Sequence, residues 1–230
     1  MKKIIIILSV LLIAGGCGEL TTKKQEGSNT KNVSSSENNQ ASADSSSRVE
    51  NNSVNADLSP HLAFMGVPID GTLSGYVSRM KQKGFTYIDT ENGVVVLNGD
   101  FAGYKNCMVG VTTLKGKDLV SKITVIFPKC DAWSSLSDNY FSLKGMLTEK
   151  YGKPSECVEK FQDAVPPTDD GSKMYSVEFD RCKYYTTYKT EKGAIQLSIE
   201  HNSVVSCYVM LSYYDKINYN IIRAKVMNDL

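Results

Sequence analysis

Apolar residues recur along this chain in two rhythms, one of period near four and one of period two, and the order of the rhythms repeats. Within residues 72–84, Leu73, Tyr76, Val77 and Met80 fall at helical spacing. That spacing predicts an amphipathic helix, with Asp70 or Thr72 as N-cap and Gly84 as its stop. Strand signals follow at residues 85–89, 94–97, 107–114 and 119–127, divided by turn residues at Asn92-Gly93 and Lys115-Gly116-Lys117-Asp118. A second helix is predicted with Leu136, Tyr140, Leu143 and Leu147 on one face, closed by Gly152 and Pro154. Four more strand candidates come after it, at residues 156–161, 182–188, 194–200 and 204–213.

The pattern predicts an α+β fold: a tandem duplication of a helix plus a four-stranded antiparallel sheet, with repeat 1 at about 64–128 and repeat 2 at about 129–214. A C-terminal helix over 215–230 carries Ile217, Ile221, Ile222, Val226 and Met227. The last hairpins of the two halves superimpose without a gap at an offset of 86 residues. Val109 and Val111 fall on Ile195 and Leu197, while Leu119, Ile123, Val125 and Phe127 fall on Val205, Val209, Leu211 and Tyr213. Strict alternation puts them on one sheet face. Residues 162–173, with Pro166-Pro167 and Asp169-Asp170-Gly171, read as an insertion in the second half.

The first 57 residues follow neither rhythm. Lys2 and Lys3 precede an apolar run over residues 4–13, then Ala14, Gly15 and Gly16 lead to Cys17. This is the order of a secretory signal peptide, here residues 1–16. The run is about half of the ~20 residues a membrane-crossing helix needs. Ala14-Gly15-Gly16-Cys17 resembles the lipobox of bacterial lipoprotein precursors, departing from it at Ala14, where that family usually has Leu. The resemblance implies that Cys17 is lipidated, with palmitate-type acyl chains, and becomes the mature N-terminus. Each buried CH₂ contributes about 0.8 kcal/mol, so several chains on one residue hold a domain at a membrane. Residues 17–57 then form the lipidated N-terminus and a Ser/Asn-rich tether with no aromatic residue. Such a segment has too little to bury to fold, and as a flexible coil it spans roughly 30–37 Å. The globular α+β domain occupies residues 58–230.

Two helix-and-sheet units in tandem resemble, by the pattern of elements over residues 64–214, the β-lactamase inhibitor protein and the small outer-membrane-assembly lipoproteins. The layout, ending in Asn228-Asp229-Leu230, resembles uncharacterised Gram-negative lipoproteins. No functional residue carries over from these resemblances, since fold does not decide function.

Composition adds exclusions. With 41% hydrophobic residues, 22% charged residues and a formal charge of +1, the chain lacks the basic excess of a nucleic-acid binder. No phosphate-cradling glycine loop, zinc-binding His-Glu-x-x-His or nucleophile elbow occurs. Gly99-Asp100-Phe101-Ala102-Gly103 lies between strands and reads as a bend. The two histidines, His61 and His201, have no partner visible in sequence, and Asp169-Asp170 lacks the alternating ligands of a calcium loop. No catalytic residue, metal ligand or cofactor is assigned.

Five cysteines lie in the folded part, Cys107, Cys130, Cys157, Cys182 and Cys207. An oxidising compartment favours their pairing, an odd count leaves at least one free, and the pairing stays open. Tyrosines crowd the second half. Tyr184 and Tyr208 are expected on the open face of the sheet and are the candidate binding residues, because Tyr offers large contact area at small entropic cost. The leading expectation is therefore a non-enzymatic, membrane-anchored lipoprotein acting as a binding or adaptor module in the cell envelope of a Gram-negative bacterium. Lacking an Asp after Cys17, it is expected at the outer membrane, facing the periplasm or the exterior. Its expected partners are the membrane, through the lipid, and an envelope protein or extracellular ligand. An envelope hydrolase using acidic residues and a structural envelope lipoprotein are the alternatives.

Overall fold

A computed structural model gives the architecture, and it describes residues 59–91, 93–114, 117–202 and 206–229. The signal segment, Cys17 and the tether lie outside the described residues, as do Asn92 and Lys115-Gly116 of the expected turns. Ten strands and four helices follow in the order β1 (Ala63–Phe64), β2 (Val67–Pro68), α1 (Leu73–Gln82), β3 (Thr86–Glu91), β4 (Val94–Phe101), β5 (Tyr104–Thr113), β6 (Val120–Ile126), α2 (Trp133–Tyr151), β7 (Glu156–Phe161), α3 (Asp170–Glu178), β8 (Cys182–Thr190), β9 (Gly193–His201), β10 (Cys207–Asp215) and α4 (Lys216–Asp229).

The fold is α+β. β1 and β2 form a small two-stranded ribbon, and the other eight strands form one antiparallel sheet in the order β3-β4-β5-β6-β10-β9-β8-β7. Each run of four strands is a meander, and the two meanders meet through their last strands, β6 and β10, with Val125 opposite Leu211 and Ile123 opposite Tyr213.

Local chemistry explains the elements. Thr72 caps α1 by accepting from the Gly75 amide at 3.2 Å, and Tyr76 and Met80 on its inner face are fully buried. In α2 all four expected positions, Leu136, Tyr140, Leu143 and Leu147, are buried, joined by Trp133. The Gly99–Gly103 bend is the β4–β5 hairpin. Ala102 and Gly103 both adopt positive φ, 51° and 85°, as the tightest hairpin turns require.

The core lies between the helices and one face of the sheet. Leu97, Val109, Val125, Leu211 and Leu197 form one row across it, and Val95, Val111, Ile123, Tyr213 and Ile195 form the next. The gapless superposition of the two hairpins does not hold. Val109 faces Val125 in the first hairpin, whereas Leu197, not Ile195, faces Leu211 in the second. The halves are out of step by two residues, and a shift of two leaves every side chain on its original face, so alternation cannot detect it.

Three elements, β1, β2 and α3, are absent from the sequence reading. The expected insertion ends in α3, capped by Asp169, whose carboxylate accepts from the Ser172 amide at 2.9 Å. α3 buries Met174 and Val177 in the core. α4 forms as expected, but its fixed residue is polar. Asn218 is buried and donates to the carbonyls of Ile69 and Val120, at 3.1 and 2.8 Å, whereas Ile217 and Ile221 are exposed.

Candidate binding face

The side of the sheet turned away from the helices has a different chemistry. One row crosses all eight strands: Asp89, Val96, Gly110, Thr124, Ser212, Gln196, Thr187 and Glu156 stand side by side. Five successive members, from Gly110 to Thr187, are glycine, hydroxyl or amide residues. They are linked by weak polar contacts, Thr124 to Ser212 and Gln196 to Thr187, each at 3.4 Å. The neighbouring row is bulkier, with Met108, Ile126, Met210, Ser198 and Tyr185 in sequence. On the other flank Lys122 lies over the Tyr214 ring, 4.9 Å from its centroid. Small residues between taller ones make a trough running across the strands.

Every helix residue in the hydrophobic core packs on the opposite face. Val94, Val96 and Ile126, on the trough side, are buried without joining that core. The β3 edge of the face carries Asp89 and Glu91, the β7–β8 edge carries Lys160, Lys183 and Lys189 together with Glu156, and Lys122 and Glu200 lie on the inner strands β6 and β9. Lys160 and Lys183 stand directly opposite each other, an arrangement that disfavours pairing of the two strands.

The expected pair of tyrosines is divided by the strand register. Tyr208 lies on the trough side, opposite Glu200. Burial, reinforced by the Glu200 charge, pushes its hydroxyl up to about 12. Burial also raises the Glu200 carboxyl, against the lowering effects of a Ser198 hydrogen bond and of His201 and Lys122. Tyr184 is on the helix side, contrary to expectation. Its ring packs against Trp133, Phe161, Tyr140 and Phe141, with centroids 5.1, 5.6, 5.8 and 6.4 Å away. Tyr185 takes the open position instead, with its hydroxyl donating to Glu156 at 2.6 Å. In a strand that reads Cys-Lys-Tyr-Tyr-Thr-Thr-Tyr-Lys-Thr, tyrosines fall on both faces and composition gives no phase.

Both histidines have partners that the sequence hid. His61 lies between two carboxylates, Asp215 at 3.0 Å and Asp70 at 3.4 Å. The Asp215 side chain is wholly buried and also accepts from the amides of Leu62 and Asn218, at 2.8 and 2.9 Å. It thereby caps α4 and ties the start of the domain to its end. His201 contacts Asp180 at 3.0 Å.

All five cysteines are free thiols in the structure. Cys107, Cys130 and Cys207 are buried and Cys157 is exposed. Among the described residues no group of three metal-ligating side chains comes together, and no helix is long and apolar enough to cross a membrane. A shallow cleft of about 330 Å³ lies between the β7–α3 loop and α3, with Asp163, Pro166, Pro167, Tyr175 and Arg181 on its walls. Its charged pair, Arg181 with Asp163 at 3.2 Å, leaves one buried atom of each side chain, Arg181 Nε and Asp163 Oδ2, without a hydrogen-bond partner. No family model, no curated protein and no solved structure matches this chain.

Proposed function

We propose that this chain is a lipid-anchored binding module of the bacterial envelope, and that the trough face of its sheet recognises a partner protein. The observation that carries the reading is the row of small polar residues crossing the sheet from Gly110 to Thr187, flanked by Met108, Met210, Tyr185 and Tyr208. Small residues let another backbone approach, and the aromatic and methionine side chains beside them supply contact area of the kind enriched at interfaces. Asp89 and Glu91 on β3 and the three lysines of β7 and β8 would bias the orientation of the partner.

The anchor is proposed at Cys17 and the location at the outer membrane. Both rest on the signal-peptide order and on the residue that follows Cys17. Duplication of a helix-plus-four-strand unit is proposed from the mirrored strand order and from α1 and α2 each preceding one meander. The two-residue difference in hairpin register then arose after the copy.

The test is photocrosslinking in intact cells, with a photoreactive residue at Gln196 or Met210 in the full chain and, as a control, at Met146 on the exposed side of α2. One adduct of defined mass from the sheet positions and none from Met146 is the expected result. The same adducts from all three positions would rule the face out. Separately, Cys17→Ala is expected to move the protein out of the membrane fraction.

A further inference from the structure

The strand register sorts the five cysteines by what each can reach. Cys130 and Cys207 are directly opposed across an isolated antiparallel bridge, with the Cys130 amide donating to the Cys207 carbonyl at 2.9 Å. Opposed residues point to the same side of a sheet, and a hydrogen-bonded pair has its Cα atoms about 5.5 Å apart. Disulfide-bonded cysteines most often have Cα separations of about 5.5–6 Å.

Among the described residues, no other two cysteines are directly opposed across a pair of strands. Cys182 on β8 and Cys207 on β10 are separated by β9, and Cys107 on β5 and Cys207 are separated by β6. Two strand spacings are about 9.5 Å, beyond the ~7 Å limit for bridging without backbone movement. Cys157 and Cys182 occupy adjacent strands, but Cys157 faces Thr186 while Cys182 faces Phe161. That offset along the strand is about 13 Å. Cys107 faces Gly99, and its sulfur turns towards the carbonyls of Tyr104 and Phe101, at 3.8 and 4.0 Å.

We propose that Cys130 and Cys207 close a disulfide that fastens the segment joining the two halves of the chain to strand β10, leaving Cys107, Cys157 and Cys182 as thiols. Closing the bond brings the two Cβ atoms together by about 1–2 Å, from a typical separation in a hydrogen-bonded cross-strand pair to a typical disulfide one. Cys130 can supply that movement, because it belongs to no strand and is tied to the sheet by a single bridge. The oxidant is a protein or small-molecule disulfide. One cysteine thiolate attacks it to form a mixed disulfide and release one oxidant thiol, and the other cysteine then displaces the second. The pair loses two electrons and two protons, and the oxidant's disulfide is reduced to two thiols.

Burial pushes the Cys207 thiol up to about 11 and raises Cys130 as well. A thiol so held is a poor nucleophile, which places the reaction during folding, before the pair is covered. Only the identity of the cellular oxidant rests on the proposed export.

The experiment refolds the full chain in a buffer of oxidised and reduced glutathione, alkylates the remaining thiols and maps the peptides without reduction. A peptide joining Cys130 to Cys207, with Cys107, Cys157 and Cys182 alkylated, is the expected result. Alkylation of both Cys130 and Cys207, or a different pair, overturns the proposal. This outcome does not depend on export, which fails or succeeds separately by processing of the N-terminus. A variant carrying Cys107→Ala, Cys157→Ala and Cys182→Ala guards against scrambling and should form the same link. Reduction should lower the melting temperature of wild type by roughly 5–15 °C and leave Cys130→Ser unmoved. Equal melting of oxidised and reduced wild type overturns the fastening role.

Discussion

The two faces of the eight-stranded sheet share one backbone and divide its chemistry completely. On the helix side each row is built from valine, leucine, isoleucine and aromatic residues, and burial there supplies the stability of the domain. On the other side the same strands present glycine, threonine, serine and glutamine in one row and methionine and tyrosine in the next. If that second face served only to meet water, charged side chains would crown its centre, as on most half-exposed antiparallel sheets. Its charges instead flank the central row, with Lys122 on β6 beside it and Glu200 on β9 beyond Ser198, and leave the five members from Gly110 to Thr187 uncharged. The comparison separates residues that make the fold from residues available for recognition, often between neighbours one position apart.

Asp215→Ala is expected to damage both faces together. It removes the carboxylate that accepts from Leu62, Asn218 and His61, and leaving buried donors without partners costs about 3–5 kcal/mol. Denaturant unfolding of the variant should show it. Neighbours on β10 sharpen the contrast: Leu211→Ala should lose about 2–5 kcal/mol by cavity formation. Ser212→Ala, giving up one 3.4 Å contact, should lose less than about 1 kcal/mol. If both variants unfold at the same denaturant concentration, the division between the faces is wrong.

Tyr184 and Tyr185 give the same comparison on β8. Tyr184→Ala empties a place among four aromatic rings and should cost about 2–4 kcal/mol while leaving the proposed crosslink intact. Tyr185→Ala, best combined with Tyr208→Ala, should abolish the crosslink at a cost of about 1 kcal/mol or less per residue.

The smallest effect concerns pH. Glu200 has its carboxyl raised by burial, so the folded state holds its proton more tightly than the unfolded state does. Stability from this group therefore falls as pH rises from the ordinary carboxylate range through the raised value. Glu200→Gln should melt higher than wild type at neutral pH. That advantage should vanish in thermal scans below the ordinary carboxylate range, where both states of the wild-type residue are protonated.

Much of the fold was legible because its core positions obey strict periods. The inner faces of α1 and α2 and the alternation in β5, β6, β9 and β10 needed no partner to be read. What failed was information carried by pairing. The phase of β8 is set by its neighbours, so Tyr184 and Tyr185 could not be told apart. The two-residue slip between the hairpins preserves every face. The His61–Asp215 contact joins residues 154 positions apart, and no local pattern encodes it. α3 was missed because it starts inside a Pro- and Asp-rich stretch, although Asp169 followed by Met174 and Val177 was a cap and an apolar stripe in miniature. The small-residue row was invisible for a related reason. It exists only across strands, one residue from each.

The mirrored strand order also dictates a sequence of events during synthesis. β6 is complete long before the chain reaches Cys207, and its only partner on that side is β10. Until β10 arrives, the first meander must hold an almost wholly buried strand as an open edge, and such an edge is a template for wrong pairing with other chains. The finished sheet ends on β3 and β7, the two strands whose side chains are mostly exposed and include five charged residues. The molecule is thus protected against aggregation when complete and most vulnerable when half made, so a chain cut short before β10 is expected to need a holding chaperone.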